Sequence, residues 1–438
     1  MIRSNATPIT ADVQRTPGKY VNPHQPWGAL QDVRVIDMTR MLSGPFCTML
    51  LGDQGAEVIK IESFDGDTTR GHGPYRGDDP THEFGGYFQS INRNKKSIVL
   101  DLKDEQARDV VRRLTKTADV LVENFRSGVM ERLGLGYEAL RAINPRLVYA
   151  AIRGFGDPRS GASPYDEWPA YDVVAQAMGG LMGITGPGPG SHVKIGPGIG
   201  DILPGTMTAV GILAALHRAR ITGEGQFVDV AMYDAVLSLC ERIVYQYSFT
   251  GLVPEPEGSS HPFFCPFGLY EARDGWVTIA CPNDEFWIAL ARIMGREDLV
   301  EDPRTKLKAS RARNKEFVNG TVGEWTRART KRELAELLGA RVPFGPVHTV
   351  ADIFADPHVR ARGMLAEVNH PGSARKSIVA GTPIHLSETP GGVKRRAPYH
   401  GEHTLAMLRD LGYSDAEIAA MHARRAVLAG GEQTAEVQ

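Results

Sequence analysis

The sequence predicts an α/β protein with a parallel β-sheet covered by helices on both faces. Short apolar strands alternate with helical segments from Val33 to about Ser248, and no internal repeat is visible. Strands that alternate with helices favour a parallel sheet, because each crossover helix packs back onto one face. At 438 residues, with 42% hydrophobic and 23% charged residues, the chain has the composition of a globular protein large enough for two domains.

The strands and helices of this sheet are predicted in a regular order. The predicted strands are 33–38, 57–62, 97–102, 120–123, 147–152 and 226–231. Helices are predicted over 45–52, 105–115 and 234–248, with shorter helical segments around Met130 and Leu140. Pro45 stands at the first helical position, which proline favours. The apolar run Thr206–Leu216 has helical length, which predicts a buried helix.

The composition of the chain changes near Leu252–Pro262, where prolines and polar residues suggest a linker. Beyond it, Leu269–Ala272 and Trp276–Ala280 predict a hairpin. The tail, 401–428, contains two amphipathic helices, and Ser414 with Glu417 forms a capping-box pattern at the second. Residues 1–27 are polar and carry four prolines, so they are expected to form a flexible arm rather than a signal peptide.

Charge, cysteine usage and missing motifs exclude several kinds of protein. The 50 basic and 52 acidic residues leave a net charge of −2, so no overall field favours nucleic acid or an anionic membrane. The four cysteines lack CxxC spacing, which indicates neither a metal site nor a disulfide framework and fits the cytoplasm. No apolar run reaches the roughly 18 residues of a membrane span. GxGxxG, GxxxxGK[ST], GxSxG and HExxH are all absent.

Basic and aromatic residues lie at predicted strand ends. Asn124, Phe125 and Arg126 directly follow a strand, and Arg132 lies in the next helix. Ligands of parallel sheets bind beyond the carboxyl ends of the strands, so this ring would stack on a base and the cations would meet phosphate. The alternative is a loop asparagine beside a core phenylalanine. Lys95 and Lys96 precede another strand and are also candidates for an anion site. The alternative is that they are simply two charged side chains exposed to solvent.

Asp201 ends the glycine- and proline-rich run Gly186–Gly200, just before the long apolar helix. A carboxylate in this position is either a helix cap or a nucleophile. The sequence alone leaves both open.

Several segments together resemble the class III CoA-transferases, the family of formyl-CoA transferase and the carnitine CoA-transferase, to which the alpha-methylacyl-CoA racemases are related. The matching segments are LQDVRVIDMTRMLSGPFCTMLLGDQGAEVIKIE, NRNKKSIVLDLK, ADVLVENFRSGVMERLGLGYEAL, AYDVVAQAMGGLMGITG, GDILPGTMTAVGILAALHRARITGEGQFVDVAMYDA, VPFGPVHTVADIFADPHVRARGM and GEHTLAMLRDLGYSDAEIAAMHARRAV. They span about nine tenths of the chain.

The resemblance implies a role for particular residues. The covalent nucleophile of the family's glycine–aspartate motif falls on Asp201. The family's contacts to CoA fall on Leu100, Asn124, Phe125, Val129 and Arg132. Departures from formyl-CoA transferase at Leu42, Ser63 and Pro169 weaken a formyl-CoA:oxalate assignment.

The resemblance also implies the architecture. We expect a Rossmann-like large domain over 28–250, completed by 385–430, and a smaller α+β domain over 260–375. Two chains would form an intertwined homodimer. The implied ligands are an acyl-CoA and a carboxylic acid, with no cofactor besides CoA as substrate and no metal.

The expected chemistry uses a carboxylate directly. An ordinary aspartate, with a pKa of about 3.9, is ionised at neutral pH and needs no base. Asp201 would attack a thioester to form an anhydride, and CoA would then return to give an aspartyl thioester. Backbone amides near Gly198 and Gly200 would stabilise the oxyanion.

Two other functions are possible alternatives to CoA transfer. A racemase of this fold carries histidine before an aspartate where this chain has Tyr171 and Asp172, and tyrosine is a poor base at neutral pH. A CoA-binding protein without catalysis is the other rival. The nearest similarity is to enzymes that use succinyl-CoA with a dicarboxylate such as glutarate, mesaconate or itaconate. Arg70, Arg153 and His261 are candidates for its distal carboxylate, and Tyr171 is also assigned to the substrate.

Overall fold

The computed structural model describes residues 27–79, 82, 84–371 and 373–428. The strands are β1 Arg34–Asp37, β2 Glu57–Glu62, β3 Lys95–Leu100, β4 Val120–Glu123, β5 Val148–Arg153, β6 Phe227–Ala231, β7 Phe267–Ala272, β8 Gly275–Ala280, β9 Phe344–Pro346, β10 Leu365–Val368, β11 Ser377–Ala380 and β12 Val427–Leu428. The expected N-terminal arm lies outside the described residues apart from Trp27.

The helices of the first half are α1 Ser43–Asp53, α2 Gly86–Asn92, α3 Glu105–Thr115, α4 Val129–Arg132, α5 Tyr137–Ile143, α6 Asp172–Met178, α7 Ile199–Thr222, α8 Met232–Leu239 and α9 Glu241–Thr250. Those of the second half are α10 Asp284–Ile293, α11 Asp298–Glu301, α12 Lys308–Arg313, α13 Lys315–Arg327, α14 Lys331–Leu338, α15 Val350–Ala355, α16 Pro357–Ala361, α17 Thr404–Asp410 and α18 Asp415–Ala423. Short 3₁₀ turns occupy Thr68–Gly71 and Met182–Ile184.

Seven strands form the main sheet in the order β12-β3-β2-β1-β4-β5-β6. All neighbours pair in parallel except β12, which runs antiparallel to β3. The order 3-2-1-4-5-6 is that of a Rossmann fold, and the chain changes direction across the sheet between β1 and β4. The expected Rossmann-like parallel sheet is therefore confirmed, and it points to the crevice outside β1 and β4 as the ligand site.

The two faces of this sheet are covered by separate apolar clusters. One contains residues of α3, α5, α17 and α18, including Leu114, Met407 and Met421. The other contains residues of α1, α6, α7 and α8, including Ile212 and Val236. The C-terminal helices α17 and α18 thus pack on the sheet that the first 250 residues build, while the completion of a large domain by residues 385–430 stays a prediction.

A third apolar cluster lies within residues 265–342 and surrounds the fully buried Trp287. It is built from β7, β8 and helices α10, α11, α13 and α14, and Phe344 of β9, the third strand of this antiparallel sheet, packs against it. The predicted hairpin is present, with β7 and β8 joined at Arg273–Asp274. This cluster falls inside the segment 260–375 expected to form the smaller α+β domain, whose boundaries stay a prediction.

Most predicted elements appear, with informative differences. The bounds of β2, α3 and β4 agree with those predicted, and Ser414 and Glu417 form the capping box. The predicted helix 234–248 is instead two helices that meet at Cys240. Helix α7 begins seven residues earlier than Thr206, and its exposed Val210 and Ile221 show that only one of its faces is buried.

Helix α7 also corrects the expectation about membrane spans. An 18-residue window within its 24 residues has a mean hydropathy of 1.6, so by length and composition alone the helix could cross a membrane. Less than half of the tested window is buried, and the buried residues pack in the cluster with α1 and α6. Core helices of soluble proteins meet the same criterion.

Candidate active site

Two loops meet outside the carboxyl ends of β1 and β4, where the sheet order reverses. The side-chain amide of Asn124 accepts from the backbone N–H of Arg40 at 2.9 Å and donates to its carbonyl at 2.8 Å. This double hydrogen bond fastens the loop after β4 to the loop after β1. The crevice beside it is the position at which Rossmann-like sheets bind ligands.

A cavity of about 260 Å³ opens at this crevice. Its lining comes from the loops after β1, β4 and β5, from the segment before α6, and from the start of α7 and α8. These residues are Arg40, Met41, Ser43, Asn124, Phe125, Arg126, Ser127, Ile152, Arg153, Gly154, Phe155, Gly156, Asp166, Trp168, Pro169, Ala170, Tyr171, Asp201 and Met232. Guanidinium groups, an aromatic ring and a carboxylate therefore share one cavity.

Asp172, the first residue of α6, is held by several donors. Its Oδ1 accepts from the backbone N–H of Gly200 at 2.8 Å, and the Gln176 amide donates to both carboxylate oxygens at 2.9 and 3.0 Å. The ammonium of Lys194 lies 3.6 Å from Oδ2. The side chain is only 15% exposed. These contacts fix the orientation of the Asp172 carboxylate.

Asp201 lies in the first turn of α7 and faces the cavity. Burial, and secondarily the charge of Asp172, raises its pKa from 3.8 to about 7. The expectation that Asp201 is fully ionised at neutral pH without help was therefore wrong: about half of it is protonated near pH 7. The helix-cap alternative was also wrong, because the N-cap is Gly198.

The two glycines expected to supply oxyanion donors have other roles. The N–H of Gly200 is already bonded to Asp172, and a Cβ at Gly200 would lie 2.5 Å from the carbonyl oxygen of Asp172. A Cβ at Gly198 would lie 2.9 Å from the Leu42 side chain. Gly200 therefore needs to be glycine because α7 approaches the backbone of α6 closely, whereas at Gly198 the Leu42 side chain would have to move. In this chain the Gly200 amide orients a carboxylate.

The residues expected to contact CoA are only partly brought together. Asn124 and Phe125 line the cavity. Arg132 is exposed near the N-terminus of α4, which begins at the half-buried Val129. Leu100 is 1% exposed and packs in the core, so the structure does not bring its side chain to the cavity. The amide of Asn124 is largely occupied by Arg40.

The residues expected to bind a distal carboxylate are mostly engaged elsewhere. The guanidinium of Arg70 donates twice to Glu62, both at 2.8 Å, and lies 3.7 Å from the centre of the Phe88 ring. Arg153 is paired with Glu123 at 2.6 Å. These two cations are already neutralised. His261 packs among phenylalanines and is not among the described residues that line the cavity, whereas Tyr171 lines it and is 60% exposed.

Sequence reasoning missed the site roles of Asp172 and Arg40. Asp172 was considered only in relation to the racemases, although its position four residues before Gln176 puts both on one helix face. Arg40 and Arg126 line the cavity and have no carboxylate partner in the described part of the chain. In the described ranges no cluster of three His, Cys, Asp or Glu side chains suits a metal ion.

The raised pKa of Asp201 predicts a pH-dependent effect on stability. Because its folded pKa of about 7 lies above the unfolded value of 3.8, Asp201 lowers the free energy of unfolding progressively as pH rises between these values. Replacing Asp201 with asparagine removes this loss. We expect the variant to be more stable than wild type by about 1 kcal/mol at roughly pH 8, and not at about pH 4. Urea denaturation at both pH values measures the difference, and an equal effect at both would contradict the expectation.

The chain is similar over most of its length to several known proteins. The sequence model of CoA-transferase family III matches residues 30–404. The succinyl-CoA:mesaconate CoA-transferase of Haloarcula marismortui is 48% identical over 388 residues, covering 88% of this chain and 97% of the relative. The succinate–glutarate CoA-transferase of Agrobacterium fabrum is 35% identical, covering 87% and 95%. The crystal structure of a CAIB/BAIF family protein from Brucella suis superposes with a TM-score of 0.77 at 37% identity, covering 88% and 99%.

Proposed function

The chain belongs to CoA-transferase family III and is a CoA-transferase, and from that premise we propose that it moves CoA from succinyl-CoA to a dicarboxylate, with mesaconate first among the acceptors. The carboxylate pair Asp172 and Asp201 beside the switch-point cavity is the observation that carries the chemistry. The names of the relatives at 48% and 35% identity support the substrate class.

We propose that Asp172 is the nucleophile. Its oxygen attacks the thioester carbonyl, the C–S bond breaks, and CoA leaves as the thiolate. The thiolate then attacks the aspartyl carbonyl of the anhydride, which releases succinate and leaves an aspartyl-CoA thioester. The acceptor carboxylate attacks that thioester, the C–S bond breaks, and a new anhydride between the aspartate and the acceptor forms as the CoA thiolate leaves. The thiolate then attacks the acceptor carbonyl of this anhydride, which forms the new acyl-CoA and frees the aspartate.

Asp172 is preferred because hydrogen bonds hold its carboxylate in one orientation before substrate arrives. Three donors hold it: the Gly200 amide, the Gln176 amide and the more distant Lys194 ammonium. Asp201, by contrast, accepts no hydrogen bond from the described residues, and its pKa of about 7 leaves much of it protonated. A nucleophile held in place loses little entropy on reaction.

Asp201 is the second candidate, because it lines the cavity whereas Asp172 is not among the described residues that line it. A carboxylate of raised pKa is also the more nucleophilic of two once it is ionised. If Asp172 reacts, Asp201 is placed to hold a proton beside it. The residue on which the covalent adduct forms distinguishes the two assignments of the nucleophile.

The free cations of the cavity are assigned to the anionic parts of the ligands. Arg40 and Arg126 line it, and the Arg40 guanidinium lies 5.5 Å from the centre of the Phe125 ring. We propose that Phe125 stacks on the adenine of CoA and that these arginines, with Arg132, meet phosphates or the distal carboxylate of the acceptor.

The homodimer and the cytoplasm remain proposals. Large apolar side chains are exposed along α9 and just beyond it, including Phe249 at 87% and Val253 at 74%. A second copy of the chain is proposed to cover them, as the resemblance implies. All four cysteines are free and buried, which supports a reducing compartment.

A panel of acceptors tests the substrate proposal. The purified chain is incubated with succinyl-CoA and, separately, mesaconate, itaconate, glutarate and a monocarboxylate of similar size, and new CoA esters are identified by mass. We expect mesaconyl-CoA at the highest kcat/KM, and at least about tenfold less transfer to the monocarboxylate, because that acid leaves a cavity cation unpaired. Equal transfer to all four acids would contradict the dicarboxylate proposal. Solvent deuterium at the α-carbon of a 2-methylacyl-CoA without acceptor would favour the racemase.

A further inference from the structure

The loop that walls the cavity is fastened at both ends by buried lysines. This loop, Thr39–Pro45, comprises the residues after β1 together with the first three residues of α1, and it contributes Arg40, Met41 and Ser43 to the cavity lining. The ammonium of Lys60 donates to the carbonyl oxygen of Thr39 at 2.8 Å. The ammonium of Lys95 donates to the carbonyl oxygen of Pro45 at 3.0 Å.

Both lysines are unusual in their burial. Each side chain is 0% exposed. Lysine is almost never fully buried unless it is paired, because removing an ammonium from water is costly. Here Lys60 pairs with Asp67 at 3.0 Å, and Lys95 pairs with Asp37 at 2.9 Å.

All three N–H donors of the Lys95 ammonium have acceptors nearby. Its third partner is the side-chain oxygen of Asn92 at 2.9 Å, so three acceptors meet the three donors of the ammonium. Asp37 accepts in turn from the backbone N–H of Thr39 at 2.9 Å and from the hydroxyl of Thr48 at 2.7 Å. The charges beneath the loop thus form one connected network that ends on loop backbone atoms.

The loop needs such support because its conformation is demanding. Met41 has φ of 65°, a left-handed conformation that costs a non-glycine residue free energy. A Cβ at Gly44 would lie 2.3 Å from the Thr39 side chain, and one at Gly205 of α7 would lie 2.4 Å from the Ser43 carbonyl oxygen. A small shift of the loop would therefore change the cavity or collide with the helix that carries Asp201.

We propose that Lys60 and Lys95 are positioning residues for CoA transfer: each buried ammonium holds a carbonyl oxygen at one end of the loop Thr39–Pro45 and so fixes the cavity wall formed by Arg40, Met41 and Ser43. This inference rests on the proposed function for its catalytic consequence. Its structural part, the restraint of the loop, stands independently.

The test variant removes the Lys60 bond to the loop without leaving a buried charge. Lys60→Met alone would strand Asp67, so Lys60→Met is combined with Asp67→Asn, whose Oδ1 can still accept from Thr69 as Asp67 does now at 3.0 Å. Lys95→Met combined with Asp37→Asn is the second variant for the same reason, and the same effect on the loop is expected of it. Lys96→Met is the matched control, because Lys96 neighbours Lys95 but pairs with Glu57 near the surface at 2.6 Å.

Amide hydrogen exchange of the loop and kcat are measured on the full chain at a temperature where every variant is folded. We expect the amides of residues 40–44 to exchange about tenfold faster or more in the Lys60→Met/Asp67→Asn variant, while amides of β4 and α3 are unchanged. The kcat for CoA transfer should fall about tenfold or more, and Lys96→Met should match wild type within about twofold.

Each other outcome overturns the inference. Unchanged loop exchange in the folded Lys60→Met/Asp67→Asn variant would show that Lys60 does not restrain the loop. Faster exchange throughout the sheet would show only a contribution to stability. Faster loop exchange with unchanged kcat would remove the positioning role. If wild type itself transfers no CoA, the proposed function fails, while the exchange comparison still decides whether the lysines hold the loop.

Discussion

Replacing Asp172 with asparagine is expected to lower kcat for CoA transfer by a factor of about 10⁴ or more, because the variant has no carboxylate to form the anhydride. Asparagine can still accept from the Gly200 amide, so the fold around α6 should persist. Steady-state transfer from succinyl-CoA to mesaconate measures the loss, and circular dichroism confirms folding.

Two further variants test whether the loss of kcat is particular to Asp172. Asp166→Asn is the matched control, since Asp166 also lines the cavity but accepts only a local bond from the Ser163 amide. We expect it to stay within a few-fold of wild type, and Asp201→Asn to retain measurable transfer. Full activity in Asp172→Asn together with complete loss in Asp201→Asn would reverse the assignment of the two aspartates.

Replacing Gly205 with alanine should be strongly destabilising. A Cβ there would lie 2.4 Å from the carbonyl oxygen of Ser43, so either α7 or the cavity loop must move. We expect the free energy of unfolding to fall by about 2–3 kcal/mol, and kcat to fall as well because Ser43 lines the cavity. Urea denaturation and initial rates measure the two effects.

Gly320→Ala separates this clash from the ordinary effect of alanine in a helix. Gly320 lies within α13 and has open space where a Cβ would stand. Alanine favours helix over glycine, so this variant should be more stable by up to about 1 kcal/mol. A Gly205→Ala variant as stable as Gly320→Ala would contradict the close contact between α7 and the loop.

The sheet was predictable from the sequence because its signals are local. The strand β4 and the helix α3 have apolar patterns that match their final bounds. The start of α7 was misplaced because glycine and Pro204 within its first turns suggest a loop. The structure begins the helix at Ile199, where contacts with Asp172 and the cavity loop override that local preference.

The candidate site was less predictable because its contacts join distant residues. The bond from Gly200 to Asp172 spans 28 residues, and the bond from Lys60 to Thr39 spans 21. The raised pKa of Asp201 depends on burial that composition does not reveal. The resemblance assigned the nucleophile to Asp201 alone, and it did not consider Asp172 for that role, because only the fold brings the two aspartates together.

Lys95 and Lys96 illustrate the same limit at a single strand. Adjacent residues of a strand point to opposite faces of the sheet. If one lysine of the pair faces solvent, the other therefore faces the interior. Lys95 is fully buried against Asp37, whereas Lys96 keeps 30% exposure beside Glu57. A solvated pair was therefore correct for Lys96 and wrong for Lys95.

Mapping the covalent adduct tests the proposed mechanism most directly. The enzyme is mixed with succinyl-CoA, treated with hydroxylamine to convert the activated aspartate to a hydroxamate, and digested with trypsin. Cleavage after Arg159, Lys194 and Arg218 puts Asp172 and Asp201 on different peptides. We predict the hydroxamate at Asp172, in the peptide 160–194, and only when succinyl-CoA is present. A hydroxamate confined to Asp201 would contradict that assignment, and no hydroxamate on either peptide during active transfer would contradict the aspartyl mechanism itself.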